Sequence, residues 1–222
     1  MTHLFESLTW TLDQHAPGST DFVIYGDGGA RLASTTRVPT RRPNDDPSVP
    51  YANPHAQFEP DRMVLCVAAP DGSPHFYMDY TDRHGAPMQV FVVAPDGTPI
   101  GSVGLNVNRG QGRLRIFKKE ITSTYELRDP HGQILATMSV SVSGLGRAAL
   151  PAEQEQRIIN TGGTEVARAE AGTKPNAQGN RPVIVRFSGL PPQPLPHLTL
   201  ATFVGPTMMA TLRIAQMGHL GR

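Results

Sequence analysis

Apolar and polar residues alternate through most of this chain, and the same few turn residues cut the alternation at regular intervals. The period is cleanest after Pro99. There Val103, Leu105 and Val107 fall on one side and Ser102, Gly104, Asn106 and Asn108 on the other. A period of two places the two sets on opposite faces of a β-strand. The same alternation carries Ile134, Ala136, Met138, Val140 and Val142 past Leu135, Thr137, Ser139, Ser141 and Ser143. Between such runs stand Ala69-Pro70-Asp71-Gly72-Ser73-Pro74, Ala94-Pro95-Asp96-Gly97-Thr98-Pro99 and Asp129-Pro130-His131-Gly132. Proline presets its own φ, aspartate tolerates the tight bend, and glycine accepts a positive φ. Each copy therefore predicts a strand–turn–strand hairpin.

The pattern extends in both directions. Residues 22–25 and 30–32 flank Gly26-Asp27-Gly28-Gly29 as a first, degenerate hairpin. Residues 63–68 pair with 74–80 and residues 88–93 with 99–107. A turn at Arg109-Gly110-Gln111-Gly112 leads to a strand at 113–117, and Tyr125 and Leu127 lead into the third turn. Residues 158–160 turn at Thr161-Gly162-Gly163 into 165–171, and 183–187 is the last strand. Residues 1–20, with the only tryptophan, Trp10, hold a short arm or strand. Residues 37–62 carry prolines at 39, 43, 47, 50, 54 and 60 with little periodic apolar content. They read as a long excursion or disordered loop that folding does not need. The chain divides into residues 1–62 (arm, first hairpin and Pro-rich loop) and 63–222 (main barrel), with 21–36 joining the second part in one domain.

Residues 198–217 break the strand pattern. Arg213 is their single charge, and apolar side chains fall on every side of a helix drawn through them. Such a helix is buried all round. Curved sheet enclosing it is the reading adopted. A bilayer span is disfavoured by four threonines, a glutamine, an arginine and the central Gly205-Pro206. A strand pair broken at Gly205-Pro206 is the third possibility.

Ordered hairpins ending in one hydrophobic helix resemble the tubby C-terminal-like superfamily, which includes the phospholipid scramblase-like and LURP-one-related proteins. The residues that carry the resemblance are Met88-Gln-Val-Phe-Val-Val-Ala-Pro-Asp-Gly97, Tyr125-Glu-Leu-Arg-Asp-Pro-His-Gly132-Gln-Ile-Leu-Ala, Gly163-Thr-Glu-Val-Ala-Arg-Ala and Val183-Ile-Val-Arg-Phe187 leading to Leu198-Thr-Leu-Ala-Thr. They span roughly residues 60–217. The resemblance implies a closed twelve-stranded antiparallel β-barrel wrapped around the C-terminal helix. It also implies binding of anionic phospholipid head groups through surface lysines and arginines. Scramblase-like relatives carry an acidic calcium segment before the helix and a cysteine cluster. Residues 181–197 contain no Asp or Glu, and the chain has one cysteine, so calcium-driven scrambling is not implied.

A formal net charge of +1 argues against a nucleic-acid binder. Cys66, alone in an apolar run, reads as a buried, reduced thiol. No basic stretch followed by an apolar run opens the chain, so the expected location is cytoplasmic, peripheral to a membrane. The bias toward arginine, alanine, glycine and proline fits a GC-rich bacterial genome. The head-group candidates are Arg113, Arg115, Lys118, Lys119 and Arg128; the first four lie within seven residues. Asp79, Asp82 and His84 are the densest potential metal or acid–base group, against the plainer reading of an exposed connector. No cofactor motif is present. Three functions follow. The first is a non-enzymatic barrel that binds an anionic phospholipid surface or a protein partner. The second is an interaction module without lipid binding that makes contact through residues 37–62. The third is an enzyme resting on Asp79, Asp82 and His84 alone.

Overall fold

Four of the hairpin turns are one device used repeatedly. In the computed structural model, which describes residues 4–16, 18–41, 57–83, 86–106, 120–143 and 156–220, the Asp71 carboxylate accepts from the Ser73 amide at 2.9 Å and Asp96 accepts from the Thr98 amide at 2.9 Å. Asp129 accepts from the His131 and Gln133 amides, and Asn160 from the Gly162 and Thr164 amides. Gly72 and Gly97 complete their turns at φ 87° and 93°, which a side chain would oppose. At these four hairpins the register shifts by one residue beside the turn. Such a bulge adds right-handed twist, which helps a sheet curl and close.

Twelve antiparallel strands follow in chain order. They are β1 (Thr9–Gln14), β2 (Phe22–Tyr25), β3 (Arg31–Arg37), β4 (Arg62–Ala68), β5 (Pro74–Thr81), β6 (Gln89–Val93), β7 (Pro99–Asn106), β8 (Glu120–Arg128), β9 (Ile134–Ser143), β10 (Gln156–Asn160), β11 (Glu165–Ala171) and β12 (Val183–Phe187). Each pairs with its sequence neighbours, and β1 pairs with β12 to close the barrel. The arm expected in residues 1–20 therefore supplies the closing strand. Trp10 is fully buried there, donates to the Leu4 carbonyl at 3.0 Å, and meets Phe187 edge-on. The strand expected at 113–117 lies outside the described residues.

The helix α1 runs from Leu195 to Leu220, beyond both ends of the expected span, with Pro206 inside it. At 1.5 Å per residue it is about 39 Å long, more than the strands around it span. Its first half fills the barrel. Every residue from Leu198 to Gly205 is buried, packed among inward side chains such as Phe76, Met78, Val90, Val103, Leu127 and Met138. Thr202 avoids an unpaired hydroxyl by donating back to the Leu198 carbonyl. The second half emerges and is tied to the rim: Thr211 donates to the Gly18 carbonyl, and Arg213 meets Asp82 at 3.3 Å. By length and composition α1 could cross a membrane, but 56% of its most apolar window is buried in the barrel. The shape of the core also explains Gly101 in β7. A Cβ there would stand 2.4 Å from the Arg128 carbonyl and 3.1 Å from Leu198, closer than packing allows.

Candidate functional site

With the interior occupied by α1, chemistry directed at other molecules falls to the outer wall and the rims. One cross-strand row on the outer wall runs Val64, Asp79, Phe91, Ser102, Arg128 through β4 to β8. Its two ends are built differently.

At the β4–β5 end the outer face is sealed. Val64, Tyr77 and Val93 form a second small core with Val38 and half-buried Cys66. Chain on either side of the Pro-rich segment lies against this end: the Val38 amide donates to the Val64 carbonyl, and Thr40 is buried. Arg37 stacks over Phe58 with its guanidinium carbon 5.0 Å from the ring centroid. The flanks of 37–62 are thus packed structure rather than a detached excursion; residues 42–56 lie outside the described residues. Beneath them Arg62 grips Asp79 with two hydrogen bonds, Nε–Oδ1 at 2.9 Å and Nη2–Oδ2 at 2.5 Å, and reaches the Arg41 carbonyl at 3.1 Å. Burial pushes the Cys66 thiol above its ordinary range, an effect partly offset by the neighbouring Tyr77 hydroxyl, so it stays protonated.

That arrangement answers the Asp79, Asp82 and His84 grouping. Asp79 lies in β5, not in a connector, and both carboxylates are buried. Asp79 serves Arg62. Asp82 accepts from the Tyr80 hydroxyl at 2.9 Å and from Arg213 at 3.3 Å. Burial, then the Asp82 contact, holds the Tyr80 phenol up at about 12. Each carboxylate has its own structural cation, and among the described residues no three His, Cys, Asp or Glu side chains gather as a metal site. His84 lies outside the described residues.

At the β6–β8 end the face is open. Gln89 and Phe91 of β6 stand on one side, Glu126 and Arg128 of β8 on the other. Between them β7 presents outward only Ser102 and Gly104. The result is a groove of about 780 Å³ with a floor of nearly bare backbone, bounded by Arg83 at one end and the turn carrying His131 at the other. Phe91 is 47% exposed, although its neighbours in the row are Asp79 and Ser102, both buried. Sequence alternation identified Ser102 and Gly104 as the polar face of β7. It did not show that two short residues between long ones make a trough; the signal was their size, read across three strands.

Of the five head-group candidates, Arg128 alone is described. It lines the groove, but its charge is engaged: it pairs with Glu126 and donates to the Gly132 carbonyl at 2.7 Å. Arg113, Arg115, Lys118 and Lys119 lie outside the described residues. At the rim where α1 enters, His197 packs against Phe5 at 4.2 Å and Phe76 at 4.9 Å between ring centroids. Burial, then the nearby His75, lowers its pKa to about 4. Comparison with protein-family models, with curated proteins and with solved structures finds no match for this chain.

Proposed function

We propose that this chain is a non-enzymatic tubby/scramblase-like barrel that binds the anionic phospholipid surface of a membrane from the cytoplasmic side. The supporting observation is the filled interior. With Leu198–Gly205 occupying the barrel, a ligand has to be met from outside. The sequence has its densest positive charge, Arg113, Arg115, Lys118 and Lys119, immediately before β8. Each cation near an anionic surface contributes about 1 kcal/mol, and salt screens the attraction. Arg128, already paired with Glu126, adds little to it.

Liposome pelleting tests this reading. The protein should sediment with anionic vesicles at low salt, release as salt is raised, and ignore neutral vesicles. Changing the four cations to serine should abolish sedimentation. A wild-type protein that leaves anionic vesicles unbound at low salt overturns the lipid reading. The groove supports a second reading, a protein-interaction module without lipid binding, because it carries both charge signs and a half-exposed aromatic ring.

A further inference from the structure

We propose that the groove over β7 is a docking site for an extended acidic peptide segment of a partner protein. The proposal rests on the interaction-module reading and is independent of the cations at 113–119.

Three observations carry it. The first is Gly104. Glycine inside a strand weakens it and commonly marks close approach by another chain or ligand. Nothing in the barrel demands glycine here: an added Cβ would meet only the Met88 carbonyl, at 3.9 Å, in ordinary contact. Gly101, three residues earlier, is required by packing, so the contrast lies within one strand. The second is Ser102. It is 7% exposed, faces outward into the groove, and its hydroxyl has no hydrogen-bond partner among the described residues. The oxygen is not among the buried unpartnered atoms of the barrel, so it reaches the water of the groove, where a ligand backbone can exchange for that water as donor or acceptor.

The third is shape and charge. Six residues of β7, Pro99–Gly104, floor a trough about 17 Å long at the usual strand rise. An elongated trough with side walls and no central side chains suits an extended chain more than a compact head group. Glu126 and Arg128 neutralise each other, and the Asp129 carboxylate is occupied by its own turn amides. The exposed guanidinium of Arg83 has no carboxylate partner among the described residues. The unmatched charge of the groove is therefore positive, and its complement is an acidic residue near the Arg83 end.

The test uses the full chain, labelled for backbone NMR, with three pools of synthetic heptapeptides: random sequences with a central pair fixed as Glu, as Lys or as Ala. The Glu pool should shift the amides of Phe91, Ser102, Gly104 and Arg128 more than the other pools do. Gly104→Val, which fills the floor, should weaken binding of the Glu pool at least tenfold. Arg83→Glu, on an exposed loop where folding is not at stake, should transfer the preference to the Lys pool. Peptide shifts confined to the 38–41 and 57–62 face would overturn the groove and leave the interaction reading standing. No binding by any pool would overturn both. Groove shifts produced by anionic phospholipid nanodiscs and not by peptides would make this a lipid site and equally overturn the proposal.

Discussion

The two ends of one outer row, Val64–Asp79 and Ser102–Arg128, share a sheet, a pleat and an alternation, yet one is closed and the other open. On β4–β5 the outward side chains Val64, Cys66, Tyr77 and Asp79 each have a structural reason. Val64, Tyr77 and Cys66 pack under returning chain, and Asp79 is held by Arg62. On β6–β8 the outward residues include a half-exposed phenylalanine, a serine with no hydrogen-bond partner for its side chain among the described residues, and a glycine that packing does not require. The difference separates residues committed to the fold from residues left free for other molecules. Function belongs to sites rather than to folds, and on this barrel the residues that packing leaves unexplained mark the site.

The largest expected effect falls on the sealed end. Arg62→Ala removes the cation and its two hydrogen bonds from the buried Asp79 carboxylate and should cost about 3–5 kcal/mol in urea denaturation. Arg128→Ala breaks an ion pair at the open end, where water replaces the lost partner, and should cost less than about 1 kcal/mol. Equal losses at the two sites would break the comparison.

Acid gives a separate test at the rim. The His197 pKa is lowered from 6.5 to about 4 in the folded protein. The unfolded chain therefore takes up that proton first, and stability falls as pH drops through the window from about 6.5 to about 4. The loss attributable to this residue is about 2–3 kcal/mol at pH 4.5. His197→Phe keeps the aromatic packing with Phe5 and Phe76. Its stability difference between pH 7 and pH 4.5 should be smaller than that of the wild type by this amount. An unchanged difference would show that folding does not lower the His197 pKa.

Much of this barrel was legible in the sequence because its information is local. The Asp–Gly turns announce themselves, and β5, β11 and β12 fall where alternation puts them. The helix was recognisable because apolar residues fall on every side of it, although only its first half, Leu198–Gly205, is enclosed all round and Ile214 in the second half is exposed. What escaped depended on contacts between distant segments. Thr9–Gln14 offers only two alternating apolar positions, Trp10 and Leu12, and becomes the closing strand only because β12 and β2 receive it. Asp79 looked exposed in Asp-Tyr-Thr-Asp because its partner, Arg62, stands seventeen positions earlier at the edge of the Pro-rich segment. The groove escaped for the same reason. Its walls, Phe91 and Arg128, lie on different hairpins, and its floor is defined by side chains that are missing.

Gly101 and Gly104 place the central claim inside a single strand, and paired thermal melts of Gly101→Val and Gly104→Val test it most directly. Valine at 101 collides with the Arg128 carbonyl and with Leu198. Overpacking of this kind costs about 1–3 kcal/mol, a fall of roughly 3–10 °C in Tm for a chain of this length. Valine at 104 enters open space on a strand and should leave Tm within about 2 °C of the wild type, or raise it. A Gly104→Val protein destabilised as much as Gly101→Val would show that the bare floor of β7 serves the fold, and would contradict the division between a committed interior and a free outer groove.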